Sequence, residues 1–356
     1  MAERILFVGD ALSLLKPASD TSLALAEAAL AEGLEVHWCE PGDVAIFGAD
    51  VVVRGAHAIT SVSTSAFSHA PAAPTRVGEP ALHSLASYRT VLVRKDPPFD
   101  EAYKTLCWIL ASQTSTPIVN AAERLLAHHE KALQLRARAE GVLRDHEIVP
   151  TCVTSRLDVA AAFLSDYSAQ AKSFVHGVSS SFPGFAKEVS ASGGLRWIVK
   201  PWLGHGGSGV QAFDTSEEAL VFLKRALAEK PEGETTWMIQ PLLPEIKTHG
   251  DRRVFVVGGE IVCDFVRLPP EGRIAANLAQ GGRAELRPLS PAQEDVARRL
   301  AAWLPTVGIT IAGIDLIDTF VGEINITSPT GLRTYENLSG KNLAKHSLAL
   351  ILKARP

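Results

Sequence analysis

The sequence predicts a mixed α/β protein of two or three domains. Three observations carry this: a length of 356 residues, an ordinary globular composition, and strand and helix patterns that alternate through the first third of the chain. Charged residues make up 21% and apolar residues 46%, which excludes wholesale disorder. The 35 Lys and Arg against 39 Asp and Glu leave a net charge of −4, which argues against a general nucleic-acid binder. No uncharged apolar run reaches the ~18 residues that a membrane span requires. The apolar stretch ending at Gly9 is too short for a signal peptide and is interrupted by Asp10, so the expectation is a soluble, cytoplasmic protein with no membrane partner.

The elements follow in order. Arg4 to Gly9 reads as a short apolar strand, Asp20 caps a helix running to about Gly33, and Glu35 to Cys39 reads as the next strand. Thr60 to Pro80, rich in Ser, Ala and Pro, reads as a surface loop or insertion. Val91 to Val93 forms another β-branched run, and a helix is expected over Glu101 to Gln113. One long helical pattern covers Ala121 to Ala139, and a middle segment runs from Ile148 to about Leu243, with a second Ser/Gly-rich insertion over Ser173 to Gly194. In its later part Thr215 and Glu218 make a capping box ahead of Leu220, Leu223 and Leu227. Arg253 to Val257 and Ile261 to Val266 are joined at Gly258-Gly259 as a hairpin. Ser290, Pro291 and Gln293 start a helix that buries Val296, Leu300, Trp303 and Leu304. Two strands, Thr310 to Ile317 and Phe320 to Thr327, and one closing helix complete the chain. Cys39, Cys107, Cys152 and Cys263 form no C-x-x-C pair and read as buried reduced thiols.

The most glycine-dense segment is Gly204-His205-Gly206-Gly207-Ser208-Gly209. It satisfies G-x-G-x-x-G, but a dinucleotide fingerprint should open a helix, and Val210 to Phe213 continues in a β pattern, so NAD binding is rejected. A P-loop fails as well, because no Gly-Lys-Ser/Thr follows. What remains is a hairpin with Lys200 at its base. Its glycines would let backbone approach phosphate oxygens; alone, it reads rather as a flexible turn.

Downstream, Asp315 stands in one strand and Glu323-x-Asn325 in the next. Alternation puts Glu323 and Asn325 on one face, and pairing through a turn near Thr319 to Gly322 would bring Asp315 to it. Three oxygen donors suit Mg²⁺, although a solvated hairpin face is the plain alternative. A third group is cationic: Arg94, Lys95, Lys131, Lys200, Arg253, Arg267, Arg273 and Arg283, several beside turns or strand ends. A phosphate cover, two lysines, an acidic metal site and an arginine set are the parts required for phosphoryl transfer from ATP.

At this point the chain resembles a known family. Arg94-Lys95-Asp96-Pro97-Pro98-Phe99-Asp100, Glu130-Lys131, Lys200-Pro201, Gly204 to Gly209, Gln240-Pro241-Leu242-Leu243-Pro244, Gly250 to Val254, Asn277 to Arg283, Gly313-Ile314-Asp315 and Glu323 to Thr330 look like the bacterial glutathione synthetases of the ATP-grasp superfamily, in the family's order and over nearly the whole chain. The resemblance implies an ATP-grasp fold of three parts: a parallel α/β substrate-side domain over 1–122, a central part with the Gly-rich loop over 123–243, and a C-terminal part with the metal site over 244–356. It further implies ATP with Mg²⁺, Mn²⁺ being an alternative, γ-glutamylcysteine and glycine as substrates, and a homo-oligomer.

Residue by residue, the resemblance implies that Lys131, Lys200 and the loop residues Gly204, Gly206, Gly207, Ser208 and Gly209 contact phosphates. It implies that Gln240, Pro241, Leu242 and Leu243 line the adenine pocket, and that Asp315, Glu323 and Asn325 hold the metal. Arg253 and Arg267 match arginines near the transferred phosphate. Asp20, Ser22, Arg94, Asn277, Gly281, Gly282 and Arg283 fall to the substrate side. One departure stands out: the family usually carries an arginine two positions before the asparagine matching Asn277, and this chain has Ala275 there, with Arg273 displaced by two residues. Either Arg273 reaches the same phosphate by a loop shift, or the contact is missing.

Overall fold

The structure is a computed structural model, and it describes residues 3–59, 76–174, 195–229, 235–271, 276, 278 and 281–354. Its described strands form three sheets. The first contains β1 (Arg4–Gly9), β2 (Glu35–Cys39), β3 (Val44–Phe47), β4 (Asp50–Ile59), β5 (Arg76–Ser84), β6 (Thr90–Arg94) and β7 (Ile118–Val119). Strands β1, β2, β6 and β7 are parallel, as expected from the alternation. An antiparallel extension from β3 to β5 was not expected. Part of it corrects the first insertion: residues 76–80 open β5, while 60–75 lie outside the described residues. The run Ile5 to Val8 is fully buried, the pattern of a strand covered on both faces. Gly9 is needed beside it, because a Cβ there would lie 2.7 Å from the Trp38 ring, which stacks on Phe7.

The second sheet contains β8 (Cys152–Thr154), β9 (Trp197–Pro201), β10 (Gln211–Phe213) and β11 (Trp237–Pro241), all antiparallel. The third contains β12 (Asp251–Val257), β13 (Glu260–Leu268), β14 (Arg283–Glu285), β15 (Ile311–Ile317) and β16 (Phe320–Asn325). The hairpin at Gly258-Gly259 stands as expected, both glycines having positive φ. The β15–β16 turn is at Asp318-Thr319 rather than Thr319 to Gly322, with Asp318 at φ 51°.

The α-helices among the described residues are α1 (Thr21–Ala31), α2 (Glu101–Ala111), α3 (Ala122–Ala127), α4 (Leu133–Ala139), α5 (Leu157–Phe174), α6 (Ser216–Ala228), α7 (Glu245–Thr248), α8 (Pro291–Trp303), α9 (Leu332–Ser339) and α10 (Ala344–Lys353). Asp20 caps α1 and Ser290 closes a full capping box on α8. At α6 the expected box is shifted: Thr215 accepts from the Glu218 N–H, but the Glu218 carboxylate accepts from the Asp214 N–H. The single closing helix is two, divided at Gly340, whose φ of 72° makes it the left-handed stop of α9. Ser173 and Phe174, assigned to the second insertion, end α5, and 175–194 lie outside the described residues.

The long helical pattern from Ala121 to Ala139 is broken over residues 128–132. The helical pattern does not foresee the break, where the side chains of His129, Glu130 and Lys131 find the distant partners Trp202, Thr327 and Glu323, and those tertiary bonds outweigh helix propensity.

Two apolar cores run from the first sheet to the third. Leu6 and Val8 of β1 share one with Val254 and Val256 of β12, and Ile5 and Phe7 share the other with Phe255 and Val257. The second sheet keeps its own core around Trp197, Val199, Leu223 and Ile239. All four cysteines are buried and free, and burial pushes the Cys107 and Cys263 thiols up to about 12. Among the described residues no helix is long and apolar enough to cross a membrane.

Candidate functional site

A cleft of about 1040 Å³, open to solvent, lies where the second sheet faces the third. Gly204 to Ser208 form one wall, as the hairpin loop between β9 and β10. Gly206, Gly207 and Gly209 all have positive φ, so the loop needs glycine at those positions. Gly209 does not line the cleft; it packs on Pro201, whose Cγ would sit 2.8 Å from an added Cβ. The far end of the cleft is apolar, lined by Val149, Ile198, Leu242, Leu243, Ile246 and Ile317. Gln240 and Pro241 also line it, and the Gln240 amide donates to Thr151 Oγ1 at 2.8 Å. A flat aromatic ring fits such a pocket.

The charged end is assembled from four elements. Lys131, from the break between α3 and α4, is buried; its ammonium donates to the Gly204 carbonyl and lies 3.6 Å from Glu323. Lys200 enters from β9, and burial, partly offset by Glu323, holds its pKa below the ordinary lysine value. Asp315 on β15 stands directly opposite Glu323 on β16, which confirms that the two share a face. Asn325 completes that face: its amide nitrogen donates to Asp315 at 3.0 Å and to the Gly313 carbonyl at 3.2 Å, leaving its carbonyl oxygen for a cation.

Behind the carboxylates lies a buried ionic group. Arg253 grips Asp315 with two nitrogens, at 2.6 and 3.2 Å, and Arg267 reaches Asp315 at 3.0 Å and also pairs with Asp251. Burial raises the Asp315 pKa most, but the two guanidiniums outweigh it and hold the group below the usual carboxylate value. For Asp251 burial prevails, and its carboxyl is pushed up to about 6. Asp251 and Asp315 line the cleft; Arg253 and Arg267 stand behind them.

The other expected residues are distributed differently. Asp20 caps α1, and Ser22 accepts from Arg94, whose guanidinium also donates to the Pro329 carbonyl; the three cluster together, away from the cleft lining. Gly281 and Gly282 precede the exposed Arg283, which pairs with Glu285, and none of the three lines the cleft. Arg273, Ala275 and Asn277 lie outside the described residues.

Two residues that support the site from outside its lining were missed as such. Glu130 accepts from the Ile326 and Thr327 N–H groups and the Thr327 hydroxyl at 2.8 to 2.9 Å, clasping the end of the strand that carries Glu323 and Asn325. Burial, and then Glu323, raises its pKa. Its only sequence signal is adjacency to Lys131. His129 stacks on Trp202 with centroids 3.9 Å apart, and burial, then Lys131, pushes it down to about 4. A histidine depressed on folding favours the native state above its ordinary value of 6.5, and this contribution is lost as pH falls from there to about 4. Part of the acid destabilisation in that window is therefore expected to vanish in His129→Phe, read by denaturant titration at pH 7 and pH 5.

The arrangement can hold a polyanion over two lysines, beside oxygen ligands for a hard cation. Among the described residues no three His, Cys, Asp or Glu side chains make a metal cluster. A cation here would draw on Asp315, Glu323, the Asn325 carbonyl and ligand oxygens, which fits Mg²⁺ rather than a thiolate- or imidazole-seeking metal.

Comparison with solved structures defines the class. The fold matches D-cycloserine synthetase DcsG with a TM-score of 0.63 at 17% identity, covering 99% of this chain and 100% of that one. It also matches a RimK domain ATP-grasp protein from Sphaerobacter thermophilus, with a TM-score of 0.57 at 16% identity, covering 98% and 99%. The fold is ATP-grasp. Residues 4–125 match the family profile described as prokaryotic glutathione synthetase, N-terminal domain, and residues 169–340 that of its ATP-grasp domain. The chain is 31% identical to the glutathione synthetase of Prochlorococcus marinus MIT 9313 over 98% of both chains, and 30% identical to that of Rhodopseudomonas palustris over 91% of this chain and 90% of that one. It belongs to the prokaryotic glutathione synthetase family and is an ATP-grasp ligase.

Proposed function

We propose that this chain is a glutathione synthase: it joins γ-glutamylcysteine to glycine, with conversion of ATP to ADP and phosphate. The observation that carries the reading is the convergence of Lys131, Lys200, Asp315 and Glu323 on one cleft walled by the Gly-rich loop. The apolar end beside Gln240 to Leu243 takes the adenine, and Lys131 and Lys200 take the phosphates. Asp315, Glu323 and Asn325 would hold Mg²⁺, which when bound offsets repulsion between the triphosphate and the substrate carboxylate.

In the proposed sequence a carboxylate oxygen of the cysteinyl residue attacks the γ-phosphorus, the bond to the bridging oxygen of ADP breaks, and an acyl phosphate forms. The glycine amine then attacks the acyl carbon, phosphate leaves with the bonding pair, and the amine proton is lost to solvent. Arg253 and Arg267 hold Asp315 ionised and oriented and Arg267 orients Asp251, while the Gly-rich loop keeps water from the activated acyl group. The three-part division at 122/123 and 243/244, a cytoplasmic location and a homo-oligomeric state belong to the same proposal. Residues 123–148 within that division pack Leu125, Leu133 and Ala137 into a core shared by the outer sheets.

The test is ADP release by the purified protein given Mg²⁺, ATP, γ-glutamylcysteine and glycine, with mass spectrometry of the product and each component omitted in turn. Tripeptide in the complete mixture alone is the expected result. ADP formed only with another acid or amine would move the assignment to a ligase of different substrate, the alternative that Ala275 and the two Ser-rich segments leave open. Gly209→Ala, at φ 72° and against Pro201, is expected to displace the loop and raise the KM for ATP by roughly tenfold. Steady-state kinetics at varied ATP would check it.

A further inference from the structure

The Gly-rich loop has two tethers to the break between α3 and α4. One is the Lys131 ammonium on the Gly204 carbonyl. The other is the face-to-face stack of His129 on Trp202, with 3.9 Å between centroids and 13° between planes. Trp202 follows β9 directly and its backbone N–H donates to the Thr236 carbonyl, so the backbone that carries the indole is fixed at the foot of the loop. The imidazole is fixed too: the Lys131 backbone N–H donates to His129 Nδ1 at 3.2 Å, which makes Nδ1 an acceptor and places the ring proton on Nε2. A neutral ring is what its depressed pKa also requires.

The tethers differ in what a ligand does to them. Lys131 already serves the Gly204 carbonyl and stands near Glu323, and a bound phosphate competes for the same ammonium. The stack is uncharged and lies outside the cleft lining, so it persists when the nucleotide enters. The loop it restrains contains four glycines among six residues, a segment whose ordering carries a large entropy cost.

We propose that His129 and Trp202 form an aromatic latch that pre-orders the Gly-rich loop over the nucleotide site, as positioning residues that set the affinity for ATP without touching it. This rests on the reading of the cleft as the ATP site. A loop held in its binding conformation does not lose affinity in proportion to the fraction of time it spends elsewhere.

Trp202→Ala and His129→Ala are each expected to raise the KM for ATP, and the Kd of a non-hydrolysable Mg²⁺-ATP analogue, by about five-fold. The kcat and the KM of the acid substrate should stay within about two-fold. Trp202→Phe and His129→Phe keep a ring face and should restore near-normal values, whereas Trp202→Leu, which keeps bulk without a ring, should not. The double alanine variant should be no worse than either single one, since both remove the same contact. Amide hydrogen exchange over residues 204–209 reads the latch without nucleotide, and the alanine variants should exchange faster. Folded variants with wild-type exchange and wild-type analogue affinity would overturn the latch. Failure of the wild-type protein to bind the analogue would instead overturn the nucleotide-site reading, with the exchange comparison still deciding whether the stack holds the loop.

Discussion

Glu323→Ala is expected to lower Mg²⁺-dependent turnover by about three orders of magnitude, with thermal unfolding unchanged. Glu323 is partly exposed on the cleft, and its partner Lys131, 3.6 Å away, keeps the Gly204 carbonyl when the carboxylate is lost. Asp315→Ala should abolish turnover as well, but at a structural cost. Arg253 and Arg267 both close on Asp315, and removal of the central carboxylate from a buried cluster costs about 3–5 kcal/mol. The two variants thus separate a ligand role from a folding role. Activity close to wild type in folded Glu323→Ala would sink the metal assignment.

The second large effect is on stability and lies outside the cleft. Asn120→Ala is expected to destabilise the fold by about 3–4 kcal/mol, read by chemical denaturation. The Asn120 side chain is buried between the first and third sheets, where it donates to the Ile311 and Ile326 carbonyls and accepts from the Thr310 and Ile311 N–H groups, all at 2.7 to 2.8 Å. Taking this partner from four backbone groups at a buried site is among the costliest single losses a fold can suffer. Asn120→Asp keeps the acceptor but sets a buried carboxylate oxygen against the Ile311 and Ile326 carbonyls, and at neutral pH should cost at least as much as the alanine. A loss of less than about 1 kcal/mol in Asn120→Ala would show that water replaces the side chain.

Legibility in the sequence tracked how local the determining physics is. The β9–β10 hairpin, the Ser290 capping box and the Asp315/Glu323 face all follow from period and turn chemistry within a short window, and all appear as expected. The break at 128–132 does not: its cause is Glu130 bonding to Thr327 and Lys131 bonding to Gly204, partners far away in sequence. The same limit hid what Arg253 and Arg267 touch. A run of cations can be counted from a sequence, but whether each faces a ligand or a carboxylate depends on strand register, which pairs Arg253 with Asp315 and Asp251 with Arg267. The antiparallel extension of the first sheet went unseen because its exposed residues, among them Ile46 and Phe47, carry no alternation.

The cores shared by the first and third sheets constrain how the chain is made. Ile5, Phe7 and Leu23 share a core with Leu348 and Ile351, which leave the ribosome long after them. Until then the first sheet carries an open apolar face, whereas the second sheet has a core of its own and does not wait for those residues. Removal of the last turn of α10 should therefore disable the beginning of the chain rather than its end, and soluble yield after C-terminal trimming past Ile351 should fall sharply.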